Sequence, residues 1–166
     1  MGDEGSEPTP CPDERVEVLS VSPHEDAHAW LRSIFQQSNW TLYEAFGCRE
    51  ALALARKYDI HVIICERNMP DGDWRTLLNQ VKLLPSRPRL ILFSRTADWQ
   101  LLGEVLELGG FDVLSTPFNA KEVLVVAFLA WHSSLNEVER RAADKAVRPA
   151  GRGHVGAIIQ ASGTAD

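Results

Sequence analysis

Ile60-His61-Val62-Ile63-Ile64-Cys65 is a short apolar run that delivers one carboxylate, Glu66, into a turn closed by Met69-Pro70 and Gly72. A short apolar run bounded by turn residues reads as a strand buried on both faces, and such strands belong to parallel sheets covered by helices. The rest of the chain repeats the pattern. From Val16 onward, short apolar runs alternate with longer segments of helical period, which is the form of an α/β fold with a doubly wound five-stranded parallel sheet. Strands are expected at residues 17–21, 41–45, 61–65, 89–93 and 112–114, and helices at about 23–37, 49–57, 74–83, 98–108 and 120–146.

Helix-start chemistry fixes several of these boundaries. Ser22-Pro23-His24-Glu25 reads as an N-cap serine, a proline at the first helical position and a glutamate able to reach back to the cap amide. Asn119-Ala120-Lys121-Glu122 repeats the device with an asparagine cap, after Pro117 has ended the last strand. The helix that follows is apolar around its whole circumference from Val123 to Trp131, so one sheet face cannot cover it and its outer side is expected to be an interface. The boundaries expected are a flexible acidic leader over 1–14, one domain over 15–140 and a flexible Gly/Ala-rich tail over 141–166.

With 166 residues, 45% of them hydrophobic, the chain can bury one ordinary core and has little room for a second. A formal charge of -6 gives no bulk attraction to nucleic acid or anionic lipid, so neither is expected as a partner. Three cysteines form no paired framework, no basic start leads into an apolar stretch, and no apolar run reaches membrane-spanning length. A reducing, cytoplasmic setting is the expectation.

Two short motifs point elsewhere. His24-Glu25-Asp26-Ala27-His28 matches H-E-x-x-H, which on a helix presents two imidazoles and a glutamate base for zinc-assisted hydrolysis. Against this reading, Pro23 puts the motif in a first helical turn, where Glu25 serves better as a capping partner, and no third ligand follows at a metzincin spacing. A zinc hydrolase stays as a remote alternative. Gly151-Arg152-Gly153-His154-Val155-Gly156 matches G-x-G-x-x-G, but a dinucleotide fingerprint needs an acid about 20 residues on, and ten residues remain.

The order of elements, the loop at Glu66 and the Thr116-Pro117 turn together resemble the receiver domain of two-component response regulators, from about Val16 to His132. The resemblance is to a CheY-like, flavodoxin-like (βα)5 receiver of degenerate, pseudo-receiver type. In that family an aspartate at the Glu66 position takes a phosphoryl group from a histidine kinase. Two acids after the first strand hold Mg2+, a Ser/Thr ends the fourth strand, and a lysine precedes a proline that often follows a cis peptide bond. Here the acid pair is replaced by Ser22 and Pro23, the acceptor by Glu66 and the lysine by Thr116, while Ser94 matches the switch hydroxyl. The aromatic switch position of the fifth strand is Val113.

What the resemblance implies follows from these departures. Mg2+ takes oxygen ligands, mostly carboxylates, so its binding is expected to be weak or absent and no cofactor is expected. The extra methylene of Glu66 moves the nucleophilic oxygen by about 1.5 Å from the in-line position, which makes acyl-phosphate formation unfavourable. Glu66 reads either as an imperfect mimic of a phosphorylated aspartate, with one charge against roughly 1.5 to 2, or as a solvated loop residue. The expected function is a stand-alone, nonenzymatic receiver in phosphorelay signalling that acts by protein interaction. A protein partner or second copy would bind the fourth helix, fifth strand and fifth helix through Trp99, Val113, Val125, Phe128 and Trp131. A histidine kinase is a further partner the resemblance implies. The alternative keeps phosphorylation, with Glu25 or Asp26 compensating for the lost acids.

Overall fold

Parallel strands need crossovers, and each crossover here is a helix. The computed structural model describes residues 15–147 apart from Gln37. The chain runs β1 Glu17–Val21, α1 Glu25–Phe35, β2 Thr41–Ala45, α2 Cys48–Lys57 and β3 Val62–Glu66, then a small hairpin of β4 Asn68–Met69 with β5 Gly72–Asp73. It continues through α3 Trp74–Val81, β6 Arg89–Ser94, α4 Trp99–Leu108, β7 Asp112–Ser115 and α5 Ala120–Val147. The five long strands form one sheet in the order β2-β1-β3-β6-β7, every neighbouring pair parallel. The expected doubly wound architecture is therefore the one observed.

Strand composition tracks position in the sheet. Val62 to Cys65 of β3 and Leu90 to Phe93 of β6 are buried without interruption, as a strand covered on both faces requires, whereas edge strand β2 carries an exposed Thr41 and a half-buried Glu44. One face packs Leu19, Ile63 and Leu92 against Ala51 of α2, Leu77 of α3 and Val105 of α4. The other face lies under α1 and the start of α5, where Phe35 stacks on Trp40 and Trp40 meets Trp131 edge-on at 6.2 Å.

Several expectations change here. The first helix starts at Glu25, two residues later than expected, with His24 as its cap residue and no side-chain cap bond. Ser22 is not that cap: its hydroxyl accepts from His24 N–H at 2.9 Å and is spent elsewhere, while Glu25 reaches Arg32 instead of the cap amide. The asparagine cap of α5 forms as expected, with Asn119 Oδ1 accepting from Glu122 N–H at 3.0 Å. Trp131, expected at an interface, is only 5% exposed and packs against Trp40 and Phe128, because Trp40 sets an aromatic wall beneath it.

The β4–β5 hairpin was not foreseen; its strands are two residues each, too short for a periodicity to register. Residues 15–131 form the compact sheet domain, and the chain from His132 is a separate unit in which α5 runs on to Val147. The tail expected from residue 141 begins later, since α5 continues through Val147, and the leader over 1–14 and the residues from 148, with the glycine-rich motif, lie outside the described residues.

Candidate functional site

In a doubly wound sheet, ligands sit beyond the carboxyl ends of the strands where the chain reverses its direction of winding. That point lies between β1 and β3, because β2 is added on one side of β1 and β3, β6 and β7 on the other. Ser22 and Pro23 leave the tip of β1, Glu66 ends β3, Ser94 ends β6 and Thr116 follows β7. A cleft of about 980 Å³ opens there, with Glu66, Ser94 and Thr116 on its wall.

The side of the cleft nearest β1 is closed by hydrogen bonds. Ser22 is fully buried, and its hydroxyl donates to Glu66 Oε1 at 2.5 Å. The same carboxylate oxygen lies 3.2 Å from His24 Nδ1. Beneath them, buried His28 spends both ring nitrogens, Nδ1 on the Ser20 hydroxyl and Nε2 on the Ser22 carbonyl, each at 2.8 Å. A carbonyl only accepts, so Nε2 carries a proton and donates it to Ser22 O. The histidine thereby fixes the β1 tip that presents Ser22.

Behind Glu66 the turn is pinned by two aspartates. Asp71 accepts from Cys48 N–H at 2.7 Å and Arg49 N–H at 3.0 Å, capping α2 from across the chain. Those two donors hold its carboxyl below the usual range, Arg49 contributing most. Gly47 is required at this point, since a Cβ there would stand 2.9 Å from Asp71 Oδ1. Asp73 caps α3 through the amides of Arg75 and Thr76. Burial works to raise its pKa but is outweighed by the hydrogen bonds from Thr76 and Arg75, and the net direction is down. Arg75 also binds Glu104 through Nε at 2.7 Å and through Nη2, which ties α3 to α4.

The far side of the cleft is organised differently. The Ser94 hydroxyl accepts from Thr96 N–H at 3.2 Å and lies 3.3 Å from the Thr96 hydroxyl, so it is turned along its own loop. Thr116 donates its backbone N–H to Ser94 O at 3.2 Å, and the Thr116–Pro117 peptide is cis. Val113 is half-buried against the core cluster. The carboxylate of Glu66 thus bonds to the β1 side, and the hydroxyl expected to read it faces another residue.

This donor set does not fit Mg2+. The ion needs carboxylate or comparable oxygen ligands, whereas Pro23 has no side-chain ligand atom and Ser22 offers a neutral hydroxyl whose proton is used on Glu66. The zinc reading fails on geometry, since His28 has no free nitrogen and His24 points at Glu66. Cysteine chemistry is disfavoured as well. Burial, then Asp71 and Asp73, push the Cys48 thiol up to about 11, and burial holds Cys65 well above the ordinary range.

The sequence pattern of the response regulator receiver domain matches residues 18–128. The chain belongs to that family. Among curated proteins, the receiver is similar to the aerobic respiration control protein ArcA of Escherichia coli K12, with 28% identity over 111 residues. That match covers 66% of this chain but 46% of ArcA, so the chain spans under half the length of that relative. Among solved structures, the signal receiver domain of an HD domain-containing protein from Pseudomonas fluorescens Pf-5 superposes with a TM-score of 0.69 at 26% identity, covering 76% of this chain and 93% of that one. A beryllofluoride-activated NtrC4 receiver domain dimer shares the fold, with a TM-score of 0.66 at 21% identity over 71% of this chain and 98% of that one. The receiver is thus a domain of a two-component response regulator, a class of signalling module. Among the described residues, no helix is long and apolar enough to cross a membrane.

All the strand-tip positions singled out from the sequence gather at one cleft or its edge. The sequence offered His28 only as a zinc ligand, and it did not single out the roles of Ser20, Asp71 and Arg75. A signal for His28 and Ser20 existed: Ser20 and Ser22 alternate along β1 and therefore share the face toward α1, where a histidine one turn into the helix meets them.

Proposed function

We propose that this receiver signals through protein contacts and is not phosphorylated at Glu66. The observation that carries the reading is the 2.5 Å bond from Ser22 to Glu66, in which the residue at a metal-binding position consumes the carboxylate at the acceptor position. Phosphoryl transfer is almost entirely positioning plus charge stabilisation. Glu66 is held back toward β1, a cation has no acid pair to grip, and Thr116 offers no positive charge. The receiver therefore has no enzymatic role and uses no metal cofactor.

Output then falls to the surface of α4 and α5. Trp99 is 85% exposed, and Leu106, Val125 and Leu129 are each about half exposed, more apolar surface than solvation favours. Val125 and Phe128 belong to this face, with Trp99 as its most exposed aromatic anchor. A second copy or another signalling protein would bind there. The NtrC4 receiver, solved as a dimer, supports self-association as a use of the fold, and a histidine kinase is a further partner consistent with the family.

One observation favours the phosphorylatable alternative: Asp26 lines the cleft, although Glu25 is taken by Arg32. Incubation with acetyl phosphate and Mg2+ followed by intact mass measurement decides between the two. No added phosphoryl mass is expected; a gain that disappears in Glu66→Gln would reject the inert reading.

A further inference from the structure

Arg67 and Arg95 both line the cleft, and among the described residues neither side chain makes a hydrogen bond or ion pair. The other cleft arginine, Arg75, is fully engaged by Asp73 and Glu104, and outside the cleft Arg32 is engaged by Glu44 and Glu25. The two free guanidinium groups leave adjacent strand tips. Glu66 of β3 is registered against Phe93 of β6, so Arg67 lies one residue beyond the pairing on one strand and Arg95 two beyond it on the next. Neighbouring strands are about 4.8 Å apart, which brings both forks within reach of one small ligand.

The cleft also carries aromatic side chains. Phe93 meets Phe118 edge-on at 5.0 Å, and Phe118 in turn meets Trp30 at 6.4 Å. All three line the cleft, and Trp30 is 49% exposed, so part of its indole is accessible to a ligand. Charge at the mouth is mixed. Glu66 faces it but already accepts from Ser22 and His24, while Asp26 also lines the cleft and opposes a bare anion. Asp26 is suited to accept from an amino group on a ring.

A planar guanidinium pair matches phosphate oxygens bidentately, and an open indole face stacks on a base. We propose that the cleft binds a nucleotide noncovalently, its phosphate on Arg67 and Arg95 and its base against Trp30. The inference rests on the reading that Glu66 carries no phosphoryl group, since that group would fill the same space. No bond is made or broken: the receiver would sense the ligand by occupancy.

The test is titration of the full chain with AMP and GMP in the absence of Mg2+, followed by calorimetry and by the indole N–H resonances in NMR. Adenosine and inorganic phosphate serve as controls. Saturable binding of at least one nucleotide is expected, with a shift of the Trp30 indole. Arg67→Gln/Arg95→Gln should weaken it at least about tenfold, equivalent to 1.4 kcal/mol, with far-UV circular dichroism unchanged. Trp30→Ala should weaken nucleotide binding at least about tenfold with far-UV circular dichroism unchanged.

Absence of saturable binding by both nucleotides, or wild-type affinity in the double arginine variant, overturns the proposal. Wild-type nucleotide affinity in Trp30→Ala overturns the stacking half. A failed titration without phosphoryl labelling by acetyl phosphate removes only this inference. Labelling at Glu66 removes the inert reading and this inference with it.

Discussion

The two sides of the strand-tip cleft are built from similar residue types and used in opposite ways. On the β1/β3 side, Ser20, Ser22, His28 and Glu66 satisfy one another in a chain of short hydrogen bonds that is mostly buried. On the β6/β7 side, Ser94 turns toward its own loop, Thr116 lines the cleft and Arg95 is unpaired among the described residues. The comparison teaches that neighbouring strand tips of one cleft can be spent on internal structure on one side and left available on the other. A neutral serine at the β1 tip can be buried against the Glu66 carboxylate, which turns that tip into internal structure while the other side stays open to solvent.

The comparison can be broken by substitutions on each side. The largest effect is expected for His28→Leu, which strands the Ser20 hydroxyl and the Ser22 carbonyl in a buried setting. A loss of about 3 kcal/mol in urea unfolding is expected, and a loss below about 1 would show that water replaces the imidazole. Ser22→Ala comes next, at about 1 kcal/mol, because Glu66 is partly solvated and recovers some of the bond from water. A double-mutant cycle with Glu66→Gln should give a coupling of at least about 0.5 kcal/mol, and additive effects would dissolve the link between the two positions.

Acid titration sharpens the same contrast. Asp71 and Asp73, on the turn behind Glu66, both titrate below the usual range in the folded state. Near pH 4 the unfolded chain therefore binds more protons than the folded one. Their contribution is complete above about pH 4 and is lost as pH falls through the depressed values. Asp71→Asn/Asp73→Asn should flatten the acid limb of a stability profile, and an unchanged slope would place its origin elsewhere. The smallest effect belongs to the open side: Ser94→Ala should change unfolding stability by less than about 0.5 kcal/mol.

Legibility from sequence followed the same division. Runs such as Val62 to Cys65 could only be central strands, and their spacing with amphipathic segments left one topology class. The asparagine cap at Asn119 was readable because it depends on four consecutive residues. The serine at Ser22 misled for the same reason: a cap and an acid-pair position present identical local sequence, and only Glu66, 44 residues away, decided that its hydroxyl is used across the sheet. Trp131 misled in turn, since nothing near it in sequence announces that Trp40 lies beneath.

What the amino-acid order settled unaided was the layered α/β scaffold and the position of Glu66 at a strand tip. These depend on periodicity and residue identity, which are local. The closed and open sides of the cleft, the buried role of His28 and the placing of Arg67 and Arg95 at one cleft were decided by tertiary structure. Parallel pairing places strand tips far apart in the chain about 5 Å from one another, and hydrogen bonds of 3 Å form only after that placement is made.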